Sequence, residues 1–373
     1  MPRAAGALNA AVMEAPGAPI AMRRIEAPSL EEGAVLLDVV ASEVCGTDVH
    51  LWHGRLAGVP YPIIPGHVSI GRIAAIGGGA VVRDLEGAPF RSGDVVTFCD
   101  VVGTCHACWT CLVAKETTRC PHRRVYGITL GVGDGLCGGW AEKMVLRPGT
   151  HLLRLPDGLD AETFIGGGCG AVTAFHAVRR AEIRLGDAVV VLGAGPVGQS
   201  AAAFAALSGA GPVILVGAPD DRLRMARRMG ADLTFSIEAA PHEKRRAAIL
   251  EATSGRGADV VIEATGVAPA AVEAMTLARD GGTVVIAGHY TDAGETPFNP
   301  HAHVNRRHLE VRGCWGSDVS HFHGAIAAMA RHHTKAPWRE MVTRWYGLTE
   351  CDEALRAVAA GAILKAGVRP YRP

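Results

Sequence analysis

The sequence predicts an α/β protein with two domains, one rich in β-strands and one built on a doubly wound parallel sheet. Three observations carry this prediction. The chain has 373 residues, which suits two domains of roughly 150 residues or more each. Its first part consists of short apolar runs broken by glycine and proline, such as AVLLDVVASEV and SIGRIAAIGGG. Its middle part alternates continuous Val/Ile runs with amphipathic stretches, a pattern typical of βαβ units.

We expect the β-rich domain over residues 1–170 and the βαβ domain over residues 171–316. The remaining residues, 317–373, carry further helix and a short terminal strand, and we expect them to fold back onto the first part. The sequence contains no internal repeat with the spacing of a solenoid protein.

The amino-acid composition limits the kinds of molecule that the protein is expected to bind. The 37 basic residues balance the 37 acidic ones, so no excess of positive charge favours nucleic acid. No apolar run approaches the roughly 20 residues that cross a bilayer, and the N-terminal residues lack a signal-peptide pattern. The sequence therefore predicts a cytoplasmic protein that binds neither nucleic acid nor a membrane.

A glycine-rich turn follows the first strand of the βαβ domain. It reads Gly193-Ala-Gly195-Pro196-Val197-Gly198 and opens a helix. In this pattern the first glycine permits the turn, the second lets backbone approach a pyrophosphate, and the third lets helix and strand pack closely. Its place between strand and helix predicts a dinucleotide cofactor.

The next strand ends at Gly217, where an acidic residue that binds the ribose of NAD would be expected. Arg222 could meet the 2′-phosphate of NADP, whereas Asp220 and Asp221 would oppose it. All three charged residues could equally be the solvated start of a helix. The choice between NAD and NADP stays open, with NAD preferred.

Four of the ten cysteines lie within sixteen residues: Cys105, Cys108, Cys111 and Cys120. Their close spacing is typical of a structural zinc site, in which four thiolates fill the tetrahedron and leave no position for substrate. Four thiolates also hold iron–sulfur clusters, which is the alternative. We predict zinc.

Three further potential ligands stand beside glycine turns: Cys45 in CGTDVH, His67 in PGHVSIG and Cys169 in GGGCGAVTAF. Singly, a cysteine is usually a small buried hydrophobic residue. Together, two thiolates and an imidazole form the open three-ligand zinc set known from alcohol dehydrogenase, and the assignment is taken from that known pattern.

Taken in order, CGTD, PGH, the four-cysteine segment, GCG and GxGxxG make the chain resemble a zinc-dependent medium-chain dehydrogenase/reductase of the alcohol dehydrogenase family. The resemblance runs from about Asn9 to the C-terminus. It implies a GroES-like β-barrel catalytic domain, built from both ends of the chain, and a Rossmann domain. It also implies two zinc ions per chain, one catalytic and one structural, and a homodimer or homotetramer.

The resemblance also assigns roles to three neighbours of Cys45. Thr47 would accept the proton of the substrate hydroxyl, His50 would pass that proton to solvent, and Asp48 would orient His67. A histidine suits the last step of such a relay because it titrates near neutral pH. The family usually has glutamate directly after its histidine ligand, and this chain has Val68 instead. No metal is assigned to His176, His289, His301, His303 or His308.

The predicted activity is the reversible oxidation of an alcohol, secondary or cyclic, to a ketone or aldehyde with NAD(P). One alternative is an alkene or quinone reductase, which generally lacks both zinc sites. The other is a non-catalytic NAD(P)-binding protein on the same fold, which would be expected to have lost ligands or the relay.

Overall fold

The computed structural model describes residues 6–371, and this part of the chain forms two compact units. The first unit contains the residues up to Gly168 together with Asp318–Arg331 and the residues from Arg339 onward. The second unit contains Cys169–Ser317 and His332–Trp338. Residues 332–338, which we expected in the C-terminal part of the catalytic domain, thus group with the second unit.

The regular secondary structure in the first part of the chain consists mainly of strands. Its strands are β1 (Ala7–Met13), β2 (Ile20–Glu26), β3 (Val35–Val44), β4 (Ser69–Ile76), β5 (Val95–Phe98), β6 (Val101–Val102), β7 (Arg124–Val125), β8 (Lys143–Leu146) and β9 (Leu152–Arg154). Its α-helices are the short α1 (Gly46–Trp52) and α2 (Trp109–Leu112).

The second part alternates strands and helices. It begins within helix α3 (Ala161–Ala181) and continues with β10 (Val189–Leu192), α4 (Pro196–Leu207), β11 (Val213–Gly217), α5 (Asp220–Arg228), β12 (Leu233–Ser236), α6 (His242–Ala252), β13 (Ala258–Glu263), α7 (Ala268–Leu277), β14 (Ala278–Ile286) and β15 (Glu310–Gly313). The C-terminal part adds α8 (Val319–His332), β16 (Arg344–Tyr346), α9 (Cys351–Ala359) and β17 (Ala366–Val368). Across residues 6–371, no helix combines the length and the apolarity that spanning a bilayer requires.

The first unit is organised by a seven-stranded sheet in the order β16-β17-β3-β4-β5-β9, with β8 also paired to β3. The terminal strand β17 runs antiparallel to β3 and places Ala366 opposite Val44. The core lies against β3, β4 and β5, where Phe98 and Tyr126 meet edge to face with centroids 5.5 Å apart. The C-terminal strand therefore borders the strand that leads to Cys45.

The second unit is organised by a parallel six-stranded sheet in the order β12-β11-β10-β13-β14-β15. This order, with the first strand in the middle and two series running outward, is the doubly wound arrangement of dinucleotide-binding domains. Val189, Val190 and Val191 of β10 are fully buried, as expected for a strand whose sheet has helices on both faces. The predicted α/β class is confirmed.

Candidate active site

Two of the predicted ligands lie at one end of the β3–β4 pair. These strands are antiparallel and place Ser42 opposite Ser69, so the residues that follow β3 and those that precede β4 lie at the same edge of the sheet. Cys45 directly follows β3, and His67 comes shortly before β4. The Cys45 Sγ lies 3.9 Å from the His67 Nε2.

The third ligand follows a break in helix α3. Gly168 has φ 48° and ψ −143°, and a β-carbon there would lie 2.0 Å from the Glu43 carboxylate, so only glycine fits. Cys169 is the next residue of the chain. The donor atoms of Cys45, His67, Cys169 and Glu43 all lie within 4.8 Å of one another. The structure therefore brings the three predicted ligands together and adds a carboxylate that we did not predict.

This donor set fits a zinc ion. Sulfur, imidazole nitrogen and carboxylate oxygen are the ligands that zinc takes in proteins, and Cys45 and His67 are 4% and 3% exposed. Burial disfavours a charged His67, but the adjacent Cys45 thiolate outweighs burial and raises the pKa of His67 to about 10. A positive charge in the site therefore stabilises the buried anionic donors, and a bound divalent cation would supply that charge.

Asp48 lies beside both Cys45 and His67: it accepts a hydrogen bond from the Cys45 backbone, and its charge helps to raise the pKa of His67. It is fully buried, and its Oδ2 accepts a hydrogen bond of 2.8 Å from the backbone N–H of Cys45. Burial and the nearby Cys45 thiolate raise the pKa of Asp48 well above its usual range. Within the described residues, neither the Asp48 Oδ1 nor the His67 Nδ1 has a hydrogen-bond partner. Among the described residues Asp48 and His67 form no hydrogen bond with each other, and Asp48 fixes the turn that carries Cys45; that Asp48 orients His67 stays a prediction.

The two predicted relay residues share one side of helix α1. Thr47 and His50 are three positions apart, a spacing that brings side chains together on a helix, and both are half-buried. Burial and the positive charge of Arg55 lower the pKa of His50. Since the neutral imidazole is the form that accepts a proton, His50 is ready to do so near neutral pH.

The four-cysteine segment forms a second donor group in the first unit. The Sγ atoms of Cys105, Cys108, Cys111 and Cys120 lie within 4.8 Å of one another, and all four are free thiols. The backbone N–H of Cys108 donates to the Cys105 sulfur at 3.3 Å, and the backbone N–H of Cys105 donates to the Cys120 sulfur at 3.5 Å. A hydrogen bond from the backbone of Cys111 lowers the pKa of Cys108 to about 6. The pKa of Cys120 is also lowered, whereas burial raises that of Cys111, and a set of four sulfurs this close together suits a closed metal site.

The glycine-rich turn has the shape that a dinucleotide needs. A β-carbon at Gly198 would lie 1.9 Å from the Gly193 carbonyl oxygen, and one at Gly193, where φ is 114°, would lie 2.7 Å from the Ala264 oxygen. At Gly195 a β-carbon would meet nothing within 4 Å. Gly195 is also the N-cap of α4, so the open side of the turn meets the N-terminal end of a helix, where phosphate binds.

The structure at the end of β11 leaves little room for the acidic side chain that would bind the ribose of NAD. A β-carbon at Gly217 would lie 2.7 Å from the Ala194 β-carbon and 2.9 Å from its backbone nitrogen. An acidic side chain at this position would therefore require the turn to move. Arg222 lies in the first turn of α5, and its carbonyl oxygen accepts a hydrogen bond of 2.8 Å from Gln199 of α4.

We expect Gly217→Ala to lower the stability of the protein by about 1–3 kcal/mol, the usual cost of forcing extra atoms into a packed site. Because Ala194 belongs to the glycine-rich turn, the KM for NAD and for NADP should rise together. The melting temperature and both KM values measure the effect. Gly313→Ala is the matched control, since a β-carbon at Gly313 meets nothing within 4 Å. An unchanged melting temperature and unchanged KM values for Gly217→Ala would contradict this view of the turn.

The fold and the two donor groups define a metal-binding enzyme with a dinucleotide-binding domain, and comparisons with known proteins specify the class. Residues 31–157 match the family model of the alcohol dehydrogenase GroES-like domain, and residues 196–331 match that of zinc-binding dehydrogenases. A 5-exo-hydroxycamphor dehydrogenase of Pseudomonas putida is 34% identical over 339 residues, which cover 89% of this chain and 91% of the relative.

Solved structures agree. An alcohol dehydrogenase from Thermotoga maritima has a TM-score of 0.93 and 33% identity, covering 98% of this chain and 100% of that one. A zinc-binding dehydrogenase from Sinorhizobium meliloti bound to NADP has a TM-score of 0.84 and 28% identity, covering 98% and 99%. The chain belongs to the zinc-dependent medium-chain dehydrogenase/reductase family. It is an oxidoreductase that acts on CH–OH groups with zinc and NAD(P), which confirms the predicted class of enzyme.

Sequence reasoning missed Glu43 and its partner Lys365. Both are fully buried charged residues in apolar surroundings, ASEVC and AILKAGV. A charge within a run that otherwise predicts a buried strand was the available signal, because buried charges are rare unless they are paired or bind a metal.

Proposed function

We propose that this enzyme reversibly oxidises a secondary or cyclic alcohol to its ketone, with a catalytic zinc ion held by Cys45, His67 and Cys169. The observation that carries the proposal is the convergence of these three donors within 4.8 Å. They come from three separate segments of the chain, and together they leave a coordination position for the substrate oxygen.

When bound, zinc supplies a Lewis acid that lowers the pKa of an alcohol and polarises a carbonyl. The side chains of this chain then position and move the proton. Thr47 accepts the proton of the substrate hydroxyl, and His50, on the same side of α1, passes it to solvent. Asp48 is a positioning residue, since its hydrogen bond to the Cys45 backbone holds the first turn of α1 in place.

The substrate class is supported by the relative from Pseudomonas putida, whose name describes an alcohol on a ring system. A matched panel of alcohols tests it: cyclic secondary, linear secondary and linear primary alcohols with equal numbers of carbon atoms. We expect the highest kcat/KM for the cyclic secondary alcohols. A clear preference for primary alcohols would contradict the proposed substrate class while leaving the family assignment intact.

NAD is proposed as the preferred coenzyme. Asp220 and Asp221 are exposed in the first turn of α5, directly after the end of β11, and their charges oppose a 2′-phosphate. The same panel, run with each coenzyme, measures the preference. A higher kcat/KM with NADP would show that Arg222 outweighs the two aspartates.

We expect His50→Gln to slow alcohol oxidation by roughly a hundredfold near neutral pH, in the range of other proton-transfer groups. The pKa of His50 is lowered by burial and by Arg55, so the neutral side chain is available around pH 7. As the pH rises, hydroxide in solvent accepts the proton directly and the difference from the native enzyme should shrink. The kcat of both proteins across the pH range measures this. A loss of the same size at every pH would argue against a proton relay.

The four-cysteine segment is proposed to hold a second zinc ion with a structural role. The proposal rests on the closed set of four sulfurs, which leaves no position for a substrate. The family resemblance further implies a homodimer or homotetramer, and light scattering of the purified enzyme measures which of the two forms.

A further inference from the structure

A buried ion pair lies beside the proposed catalytic site. The side chains of Glu43 and Lys365 are both fully buried, with the Lys365 Nζ 2.5 Å from the Glu43 Oε2. The Lys365 Nζ also donates to the carbonyl oxygens of Gly166 and Gly167, at 3.2 and 3.1 Å. The pair therefore connects β3 and the residue before β17 to the segment that leads into Cys169.

A buried ion pair is by itself weak evidence for a role in stability. Removing two charges from water costs several kcal/mol per ion, and well-packed apolar residues often serve a fold equally well. The pair is also crowded, because a β-carbon at Gly168 would lie 2.0 Å from the Glu43 Oε2 and 2.4 Å from the Lys365 Nζ. A costly arrangement that also restricts its neighbour to glycine points to a role in the site.

The position of Glu43 indicates that role. Glu43 precedes Cys45 by two residues, so both point to the same side of the extended chain. A carboxylate oxygen of Glu43 lies within 4.8 Å of the donor atoms of Cys45, His67 and Cys169. Val68, the residue after His67, is apolar and offers no such donor.

We propose that Glu43 is a fourth, exchangeable ligand of the catalytic zinc, and that Lys365 holds the carboxylate when it leaves the metal. This inference rests on the proposed zinc site. Carboxylate oxygens are established zinc ligands. Because Lys365 gives the carboxylate a second partner of opposite charge, Glu43 can make way for the substrate oxygen without becoming an unpaired buried anion.

The two partners should affect metal binding in opposite directions. Glu43→Gln removes a charged donor, so zinc should bind more weakly. Lys365→Met removes the group that competes with the metal for the carboxylate, so zinc should bind more tightly and the KM of the alcohol should rise. If the pair served only the fold, both substitutions would weaken metal binding or neither would change it.

The test is a competition titration in which a chromophoric chelator withdraws zinc from the purified zinc-loaded protein, repeated with the cobalt-loaded protein to record the visible spectrum. We expect Glu43→Gln to weaken binding at the catalytic site by roughly tenfold or more and to alter the ligand-field bands of cobalt. We expect Lys365→Met to tighten binding. Effects of the same sign, or affinities and spectra identical to those of the native protein, would overturn the inference.

Two further variants complete the design. The first, Glu43→Gln/Lys365→Met, removes both charges and so avoids an unpaired buried lysine. It should fold and still bind zinc more weakly than the native protein, with an altered cobalt spectrum. Zinc binding as tight as in the native protein would overturn the inference.

The second variant is Asp38→Asn. Asp38 lies on β3, as Glu43 does, and pairs with Lys143 of β8, so its substitution should leave metal binding unchanged. Weakening of metal binding equal to that of Glu43→Gln would also overturn the inference. Because cobalt at the four-cysteine segment gives thiolate bands of its own, the native protein is compared with Cys169→Ala; identical metal content and identical charge-transfer bands in the two proteins would refute the catalytic zinc site itself, which separates the two failures.

Discussion

Replacing Cys169 with alanine is expected to abolish alcohol oxidation and to remove one zinc ion per chain. The substitution removes one of the two thiolates that hold the ion, and the remaining donors should no longer retain it. The substrate oxygen then lacks its electrophilic partner, and kcat/KM should fall by roughly a thousandfold or more, which corresponds to about 4 kcal/mol in the activation barrier. Metal analysis and steady-state kinetics of the purified variant measure both effects.

The matched control for this substitution is Cys314→Ala. Cys314 is a buried cysteine of the second unit that belongs to neither donor group, so its replacement should preserve the metal content. Full activity or unchanged metal content in Cys169→Ala would refute its assignment as a ligand.

Replacing Cys108 with serine is expected to remove the other zinc ion and to destabilise the protein strongly. Structural zinc sites contribute directly to folding, since the binding free energy is available only to the folded segment. A loss of several kcal/mol would lower the melting temperature by about 5 °C or more in a protein of this size. Metal analysis and thermal unfolding measure the result, and the catalytic zinc should remain bound in the variant that stays folded.

Cys137→Ser is the control for that experiment. Cys137 is buried in the same unit and its thiol donates to the Asp134 carbonyl oxygen at 3.4 Å, a contact that a hydroxyl can replace. It should keep both metal ions. If Cys108→Ser keeps its full metal content and melting temperature, the four-cysteine segment is not a structural zinc site.

Much of the fold and part of the site could be predicted because their signals are local. The Val/Ile run of β10 and the turn from Gly193 to Gly198 lie within a few residues of one another, so pattern alone places them on a strand, a turn and a helix. Cys45, His67 and Cys169 could be predicted as a set because each stands in a short, recognisable segment, although their convergence depends on the fold.

Other features depend on contacts between distant segments. Glu43 meets Lys365 only because β17 pairs with β3, a long-range pairing that neither segment specifies alone. The crowding of Gly217 comes from Ala194 in the neighbouring turn. The hydrogen bond that Asp48 accepts from the Cys45 backbone was not predicted, although a helix-capping geometry is open to an acid three residues after the cap.

The most direct test of the account is an anomalous difference map recorded at the zinc absorption edge from crystals of the zinc-loaded protein. The account predicts a peak at about 2.3 Å from the sulfurs of Cys45 and Cys169 and about 2.0–2.1 Å from a ring nitrogen of His67. A map with density among the four clustered cysteines alone, and with those three side chains turned away from one another, would contradict it.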